Sequence, residues 1–204
     1  MTYQVVSVIP QDKKKVSICL DNGESFVLYQ GEAAKLSLFE KEVFDDTKYQ
    51  QIMTEILGKR AIKRAMHLLE QQERTEKQLR DKLTLNGYPQ QCIEMAIAYV
   101  KSYHYVDDYR YATVYIRYHQ EKESKQKLTQ KLMMRGINRE TIQQALEEEF
   151  VADECAQIKE LLRKRHFNPE SADETERRKM AQFLMRKGFK TRDIFRMMRI
   201  EEEF

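Results

Sequence analysis

The sequence contains no tryptophan, only three prolines, six glycines and three cysteines among 204 residues. Because proline and glycine interrupt regular structure most strongly, their scarcity favours long helical stretches over a loop-rich fold. Cys19, Cys92 and Cys155 lie far apart without metal-ligand spacing and cannot all pair, which excludes a disulfide framework and indicates a reducing, cytoplasmic environment. We also find no apolar run long enough to span a membrane and no charged-then-apolar leader, so we expect no membrane partner.

The sequence also lacks the residue patterns of common active sites. Its four histidines are scattered without a His-x-x-x-His pair, and there is no Gly-rich phosphate loop or Gly-x-Ser-x-Gly motif. Asp107 and Asp108 stand where a helix is predicted to begin, so we expect them to complement its free N–H groups, with a metal pair as the alternative. The sequence therefore predicts a protein that is not an enzyme and has no catalytic residue, metal or cofactor.

What the sequence does contain is one motif that occurs three times around a glycine. Gly87, Gly136 and Gly188 each follow apolar residues eight and four positions earlier and precede apolar residues one, six and ten positions later. Offsets of four residues lie on one helix face, so each motif predicts two helices that meet at the glycine. The first helix should end there because only glycine enters the left-handed conformation without strain. A further apolar segment precedes each pair, which indicates three-helix repeats of about 50 residues.

Polar residues at the expected helix starts fit this frame. Thr75 and Ser124 each stand twelve residues before their glycine and are predicted N-caps, whereas Thr175 is one residue out of phase. Asn138 or Thr191 suits the cap of the second helix in its motif. The helices of a repeat should therefore be short and individually capped.

The first thirty residues have the two-residue period of strands, and Asp21-Asn22-Gly23 is a hairpin turn signal. We predict three antiparallel strands, a connector over residues 31–47, and one helix over residues 48–72 with an interruption at Gly58. The predicted fold class is mainly α: tandem three-helix repeats that form a curved, extended solenoid, with a small N-terminal antiparallel β-meander. The predicted segments are 1–47 for the meander and connector, 48–106 for repeat one, 107–152 for repeat two and 153–204 for repeat three.

Charge is distributed in blocks although the formal net charge is only +3. Residues 177–199 contain nine Lys and Arg against one Asp, and residues 122–139 contain six against one Glu. Blocks of opposite sign suit a molecule that meets a polyanion on one surface and a protein on another. Solvated helix faces are the alternative explanation of the basic blocks. The glutamates at 147–149 and 201–203 are candidates for contact with a basic protein surface.

Three strings of residues resemble a known family. They are residues 105–112 (YVDDYRYA), residues 79–88 (LRDKLTLNGY) and residues 184–189 (LMRKGF). Together they closely resemble the RecX family of recombination regulators over about residues 59–200. The Asp-Asp-x-Arg-aromatic-Ala string is the most specific part, and the N-terminal meander is similar to an extension that some members carry.

The resemblance implies a bacterial protein that binds RecA and modulates, in most cases suppresses, its recombinase activity and ATP hydrolysis on single-stranded DNA. Members are described as lodging in the helical groove of the RecA filament and are not enzymes. The resemblance thus implies a role in DNA repair, homologous recombination and the SOS response. We expect a monomer whose partners are the RecA filament and single-stranded DNA, with double-stranded DNA as a further ligand. A sequence-tolerant DNA-binding repeat protein and a protein-only scaffold are the alternatives.

The resemblance and the charge blocks together define two sets of candidate site residues. Candidates for RecA contact come from the motif strings, with a hinge or packing role as the alternative for the last two: Arg80, Lys82, Asp107, Asp108, Arg110 and Tyr111. Candidates for DNA contact come from the basic stretches of repeats two and three: Lys127, Lys131, Arg135, Arg177, Arg178, Lys179, Arg186, Lys187, Lys190 and Arg192.

The solenoid arrangement predicts a solution shape more extended than that of a compact globule. A compact chain of this length has a radius of gyration of about 17 Å. We expect small-angle X-ray scattering to give a clearly larger value, and a value at or below that figure would count against an open solenoid.

Overall fold

The computed structural model describes residues 1–199 and contains two compact units, Met1–Asp107 and Asp108–Phe204. The strands of the first unit are β1 (Thr2–Pro10), β2 (Lys15–Leu20), β3 (Ser25–Tyr29) and β4 (Val43–Asp45). Its helices are α1 (Gln30–Lys35), α2 (Asp46–Gln51), α3 (Lys59–Gln71), α4 (Glu76–Leu85) and α5 (Gln90–Ser102), with the π-helical segment Ile52–Gly58 between α2 and α3. The second unit contains α6 (Asp108–His119), α7 (Lys125–Met134), α8 (Arg139–Glu149), α9 (Glu154–Lys164), α10 (Glu174–Arg186) and α11 (Thr191–Met198).

The predicted class, mainly helical with three-helix repeats and an N-terminal antiparallel sheet, is confirmed. The first repeat contains α3–α5, the second α6–α8 and the third α9–α11. One buried apolar cluster joins the sheet to the first repeat, and repeats two and three each have a cluster of their own. The predicted solenoid shape stays a prediction.

The sheet has four strands in the order β3-β2-β1-β4, one more than predicted. The additional strand, β4, comes from the predicted connector and pairs Phe44 with Tyr3 of β1. It covers only three residues, which is too short for alternation of apolar and polar positions to be visible in the sequence. Aromatic packing holds it in place, because the Tyr3 ring stacks on Phe44 at 5.8 Å and on Tyr49 at 4.4 Å between centroids.

The predicted interruption at Gly58 is wrong, because the helical chain continues through this residue. The segment Ile52–Gly58 is π-helical and leads directly into α3. A Cβ at position 58 would lie 2.8 Å from the Met53 carbonyl oxygen and 2.8 Å from the Met95 methyl carbon. Glycine is therefore required here by close packing and not by a break in the helix.

The glycine turns are confirmed in all three repeats. Gly87, Gly136 and Gly188 have φ values of +78°, +88° and +87°. In the first repeat the Gly87 N–H donates to the Thr84 carbonyl at 2.9 Å and the Tyr88 N–H donates to the Leu83 carbonyl at 3.3 Å. The same pair of hydrogen bonds recurs at the other two glycines. Each turn is thus a Schellman motif that satisfies carbonyls at the end of a helix.

Three predicted N-caps are also confirmed. Thr75 forms a capping box with Gln78, and the side chains of Ser124 and Asn138 accept hydrogen bonds from backbone N–H groups three residues later. Each of these caps satisfies donors that the first helical turn leaves unpaired.

The third repeat differs from the prediction at both of its later helix starts. Asp173, not Thr175, caps α10 and forms a capping box with Glu176, so this helix begins earlier and is longer than its counterparts. Thr191 is the first residue of α11, and Lys190 occupies the cap position without a side-chain hydrogen bond. The start of α10 is shifted, since Asp173 stands fifteen residues before Gly188 whereas Thr75 and Ser124 stand twelve before their glycines. The start of α11 keeps the spacing of the other repeats, because Lys190, like Pro89 and Asn138, stands two residues after its glycine, and Thr191 lies one residue beyond that cap position.

Within the second unit, the glycine turn of repeat three contacts the start of α7 in repeat two. The Ser124 hydroxyl donates to the Lys187 carbonyl at 2.8 Å and accepts from the Lys127 N–H at 3.2 Å. A Cβ at position 188 would lie 2.6 Å from the Ser124 Oγ atom. Gly188 therefore serves two purposes, since it provides the left-handed turn and leaves room for this contact.

Replacing Gly188 by alanine should destabilise the second unit by more than the backbone conformation alone requires. A left-handed conformation costs a residue with a Cβ about 1–2 kcal/mol, and the new Cβ also clashes with Ser124. We expect the urea midpoint of Gly188→Ala to fall. Part of the loss should return in the double variant with Ser124→Gly, because this change removes the hydroxyl while glycine remains an acceptable N-cap.

Gly87→Ala is the matched control, since a Cβ there first meets Val27 Cγ2 at 3.7 Å, an ordinary contact. Its free energy of unfolding should fall only by the cost of placing a residue with a Cβ in the left-handed conformation. Equal losses at the two glycines, without recovery in the double variant, would contradict the role assigned to Ser124.

Candidate nucleic-acid and partner interface

The contact at Ser124 brings together cations from both basic blocks of the sequence. Arg186, Lys187 and Lys190 are exposed on the turn between α10 and α11, and Arg192 is exposed in the first turn of α11. The backbone nitrogen and Cβ of Lys127 lie 3.2 and 3.5 Å from the Cβ position of residue 188. We call these five residues the Gly188 basic cluster. Within residues 1–199, none of the five forms an ion pair, so their charges are available to an anionic ligand.

Two further predicted residues extend this surface along α10, but a third does not. Arg178 and Lys179 are exposed on α10. Arg177 instead donates from Nε to the Ala172 carbonyl at 3.1 Å and from Nη2 to the Pro169 carbonyl at 2.8 Å. Its guanidinium therefore holds the loop that precedes α10.

An aromatic ring lies among the cations of the third repeat. The guanidinium of Arg165 lies 3.8 Å from the centroid of the Phe183 ring, and the Lys187 ammonium lies 5.7 Å from it. Sequence reasoning missed Arg165, because it stands at the end of α9 and far from the basic block. Only the packing of α9 beside α10 reveals the arrangement.

Lys131 and Arg135 of the second repeat are engaged with groups of their own unit. Lys131 forms an ion pair with Glu123, whose carboxylate holds the pKa of this ammonium above its usual value. Arg135 donates to the Tyr111 hydroxyl at 3.2 Å, and its guanidinium lies 4.5 Å from the centroid of the Tyr115 ring. Both residues therefore help to order the surface between α6 and α7.

These contacts support an aromatic ladder along one face of α6. The rings of Tyr111 and Tyr115 are nearly parallel, with an 8° interplanar angle and 6.3 Å between centroids. Tyr115 also contacts the His119 ring at 4.2 Å. The spacing of four residues places the three rings on one helix face. Half-buried tyrosines beside an arginine form the kind of surface on which nucleic-acid bases stack.

The candidates for RecA contact are divided between the two units. Arg80 and Lys82 lie on α4 of the first unit, and Asp107 is the last residue of that unit. The second unit contains Asp108, Arg110 and Tyr111. Lys82 and Arg110 are exposed, and the two aspartates are half-buried.

Arg80 is held by two carboxylates of its own unit. It makes two hydrogen bonds to Glu94, at 2.7 and 2.9 Å, and one to Glu76 at 2.8 Å. The hydrogen bonds from Glu94 and Glu76 outweigh partial burial and raise the pKa of Arg80. Lys101 also contacts Glu76 at 2.7 Å. This network joins α4 to α5 and gives Arg80 a role in holding the two helices together.

The acidic block at 147–149 has partners inside the second unit, and its contact with a basic protein surface stays a prediction. Arg117 makes two hydrogen bonds to Glu149, at 3.0 and 2.6 Å, and holds the pKa of that carboxyl below its usual value. Glu148 accepts a hydrogen bond from the Tyr109 hydroxyl, and Glu147 accepts one from Gln143 at 3.0 Å. The second acidic block, 201–203, lies outside the described residues.

Sequence reasoning also missed a basic stripe on α3. Arg60, Lys63, Arg64 and His67 recur at offsets of three, four and seven residues and share one helix face. This spacing is visible in the sequence, but the stripe lies outside the two long basic blocks.

The described residues contain neither a group of metal ligands nor a helix that could span a membrane. Between residues 1 and 199, no three His, Cys, Asp or Glu side chains are grouped to hold a metal ion. In the same part of the chain, no helix combines the length and apolar character needed to cross a membrane. Cys92 is buried beside Met53, and burial raises the pKa of its thiol to about 11.

Successive three-helix units with glycine turns and exposed basic surfaces define a helical-repeat protein. Comparison with known families assigns it more closely. Residues 61–99, 107–146 and 152–198 match the first, second and third three-helix domains of RecX. The chain belongs to the RecX family.

Individual relatives that are named Regulatory protein RecX agree with this assignment. The protein of Clostridium acetobutylicum is 29% identical over 198 residues, which cover 93% of this chain and 92% of the relative. That of Clostridium botulinum (strain Alaska E43) is 27% identical over 141 residues, and the match spans only 66% of its length. A crystal structure of regulatory protein RecX, 22% identical, has the same fold with a TM-score of 0.65 over 98% of this chain and 100% of the other.

The Arg80 network predicts a pH dependence of stability in the first unit. Burial alone would raise the pKa of Glu76, but hydrogen bonds from Lys101 and Arg80 hold it below the usual 4.5. A carboxylate with a lowered pKa in the folded state contributes stability above its unfolded pKa and loses it as the pH falls through the folded value. The free energy of unfolding should therefore drop as the pH falls below about 4.5.

The variant Arg80→Met should weaken this drop and lower stability at pH 7, as followed by urea denaturation at a series of pH values. Lys82→Met is the control, because Lys82 is an exposed residue of the same helix. Identical pH profiles for both variants and the unmodified protein would show that the network contributes nothing.

Proposed function

We propose that this protein is a non-enzymatic regulator that binds RecA and its filament on single-stranded DNA and inhibits recombinase and ATPase activity. The observation that carries the proposal is the match of all three repeats to RecX three-helix domains. The names of the relatives describe regulatory proteins and thus support a role in regulation. The proposed partners are the RecA filament and single-stranded DNA, with the protein acting as a cytoplasmic monomer.

The Gly188 basic cluster supports the DNA part of the proposal. Its five cations belong to repeats two and three, and none of them forms an ion pair with another described residue. Cations that neutralise phosphates release condensed counterions, so such a surface binds single strands with an affinity that falls steeply with salt. Arg178 and Lys179 extend the same proposed surface, whereas Lys131, Arg135 and Arg177 act through the local structure that they hold.

The RecA part of the proposal is assigned to the exposed residues of the motif strings. Lys82 and Arg110 are exposed and are the proposed direct contacts. Arg80 and Tyr111 are proposed as positioning residues, because Arg80 is bound by two carboxylates and Tyr111 accepts a hydrogen bond from Arg135. Residues 48–106, 107–152 and 153–204 are the proposed repeat segments, and 1–47 the proposed N-terminal segment.

The aromatic ladder on α6 favours a second candidate function, sequence-tolerant binding of DNA without RecA. Tyrosine rings stack on bases of any identity, so this surface requires no sequence readout. The two functions differ in whether the protein changes the activity of RecA or only binds DNA.

Charge reversal at the Gly188 basic cluster should separate these functions. We expect the unmodified protein to inhibit ATP hydrolysis by RecA on single-stranded DNA at stoichiometric amounts. The variant Arg186→Glu/Lys187→Glu/Lys190→Glu should inhibit more weakly and bind single-stranded DNA with an affinity reduced by tenfold or more at about 0.1 M salt. The control is Arg139→Glu/Lys159→Glu/Arg163→Glu, which reverses three exposed cations of the same unit that are not members of the cluster.

Three outcomes are informative. Weaker inhibition in the cluster variant, with the control unchanged, supports the proposal. DNA binding without any effect on RecA favours the second candidate. Inhibition that is insensitive to all six substitutions, without DNA affinity, would indicate a protein-only contact.

A further inference from the structure

The basic stripe of α3 forms one wall of a groove in the first unit. The groove has a volume of about 720 Å³ and lies between α3, the sheet and the glycine turn after α4. Its walls combine four cations with two tyrosines: Lys15, Arg60, Lys63, Arg64, Tyr29 and Tyr88. In the described part of the chain, no Asp or Glu side chain lines this groove. Its electrostatic character is therefore cationic.

The ring of Tyr29 is held in place at the end of β3 by cations of the groove. The Arg60 guanidinium lies 4.8 Å from its centroid and the Lys15 ammonium 5.9 Å from it. Arg60 is itself fixed by hydrogen bonds of 2.5 and 2.6 Å to Glu32. Tyr29 nevertheless remains 43% exposed. An ordered, exposed aromatic ring is a surface on which a planar ligand can stack.

The four cations of the groove differ in whether their side-chain nitrogens already have a partner in the protein. Arg64 donates from Nε to the Asn86 side-chain oxygen at 2.8 Å, which orients its guanidinium and leaves both terminal nitrogens for a ligand. Lys15 and Lys63 are exposed, and neither forms an ion pair with a described residue. Arg60, by contrast, is used to fix Tyr29. The groove thus has three cations for anionic groups and one prepared aromatic ring.

We propose that this groove binds single-stranded nucleic acid, with phosphates at Lys15, Lys63 and Arg64 and a base stacked on Tyr29. Charge complementarity supports an anionic ligand, and the exposed aromatic ring favours a nucleic acid over an acidic peptide, since bases stack and carboxylates do not. The groove lies entirely in the first unit, so this site is additional to the Gly188 basic cluster. The inference rests on the proposed function only for the choice of single-stranded DNA as the ligand.

The absence of tryptophan from the sequence allows a direct test. In the 204-residue chain with Tyr29→Trp, the introduced tryptophan would report base stacking by fluorescence. Titration with a thymidine oligonucleotide should quench this fluorescence saturably, and the apparent affinity should fall as salt increases. Phe39→Trp is the control, because Phe39 is 59% exposed in the same unit and does not line the groove. Its fluorescence should not change.

Charge reversal tests the phosphate contacts in the Tyr29→Trp background. Lys15→Glu/Lys63→Glu should lower the affinity for the oligonucleotide by about tenfold or more and reduce the slope of log affinity against log salt by roughly 1.4, or 0.7 for each lost phosphate contact. The matched control is Lys35→Glu/Lys41→Glu, which reverses two exposed lysines of the same unit outside the groove. It should retain affinity.

Failure of this inference can be distinguished from failure of the proposed function. If Tyr29→Trp is not quenched by the oligonucleotide but the protein still inhibits RecA, the groove proposal is overturned and the regulatory function stands. If quenching occurs without any effect on RecA, the groove proposal stands and the regulatory function fails. Quenching by polyglutamate of equal charge, and not by the oligonucleotide, would assign the groove to a protein and also overturn the proposal.

Discussion

The repeats depend on a left-handed turn that ends one helix and begins the next. Gly87, Gly136 and Gly188 each adopt the left-handed conformation at the end of a helix. Two backbone hydrogen bonds at each turn satisfy carbonyls that the helix end would otherwise leave unpaired. The apolar residue just after each glycine can then return to the core of its own repeat. Short helices of this kind are marginal by themselves, so stability comes from the packing that the turn makes possible.

The same turn also determines where charge is presented. At Gly188 the lack of a side chain lets the backbone approach Ser124, and this approach places Lys127 of the middle basic stretch beside the turn in the last basic stretch. Charge by itself does not define this surface. Arg177 and Lys131 belong to the same basic stretches, yet their side chains bind a loop carbonyl and a carboxylate. The five cations of the Gly188 basic cluster differ from these in forming no ion pair with another described residue.

The N-terminal sheet contributes to the first unit in two ways. It shares an apolar core with α3 and α5, as the cluster that contains both Val5 and Ala65 shows. It also places Tyr29 and Lys15 opposite the basic stripe of α3, so that a groove forms between the sheet and the first repeat. Covering the core does not by itself require an exposed tyrosine in contact with cations at the edge of the sheet.

Local patterns in the sequence by themselves determined the helical repeats, the glycine turns and the caps at Thr75 and Ser124, because these features depend on residues within one or two turns of each other. The motif strings also determined the RecX family. Only tertiary structure decided the short strand β4, the role of Arg80 and the joining of Lys127 to the turn at Gly188. These features depend on contacts between residues far apart in the chain, such as Phe44 with Tyr3, and no local periodicity records which distant partner a side chain will meet.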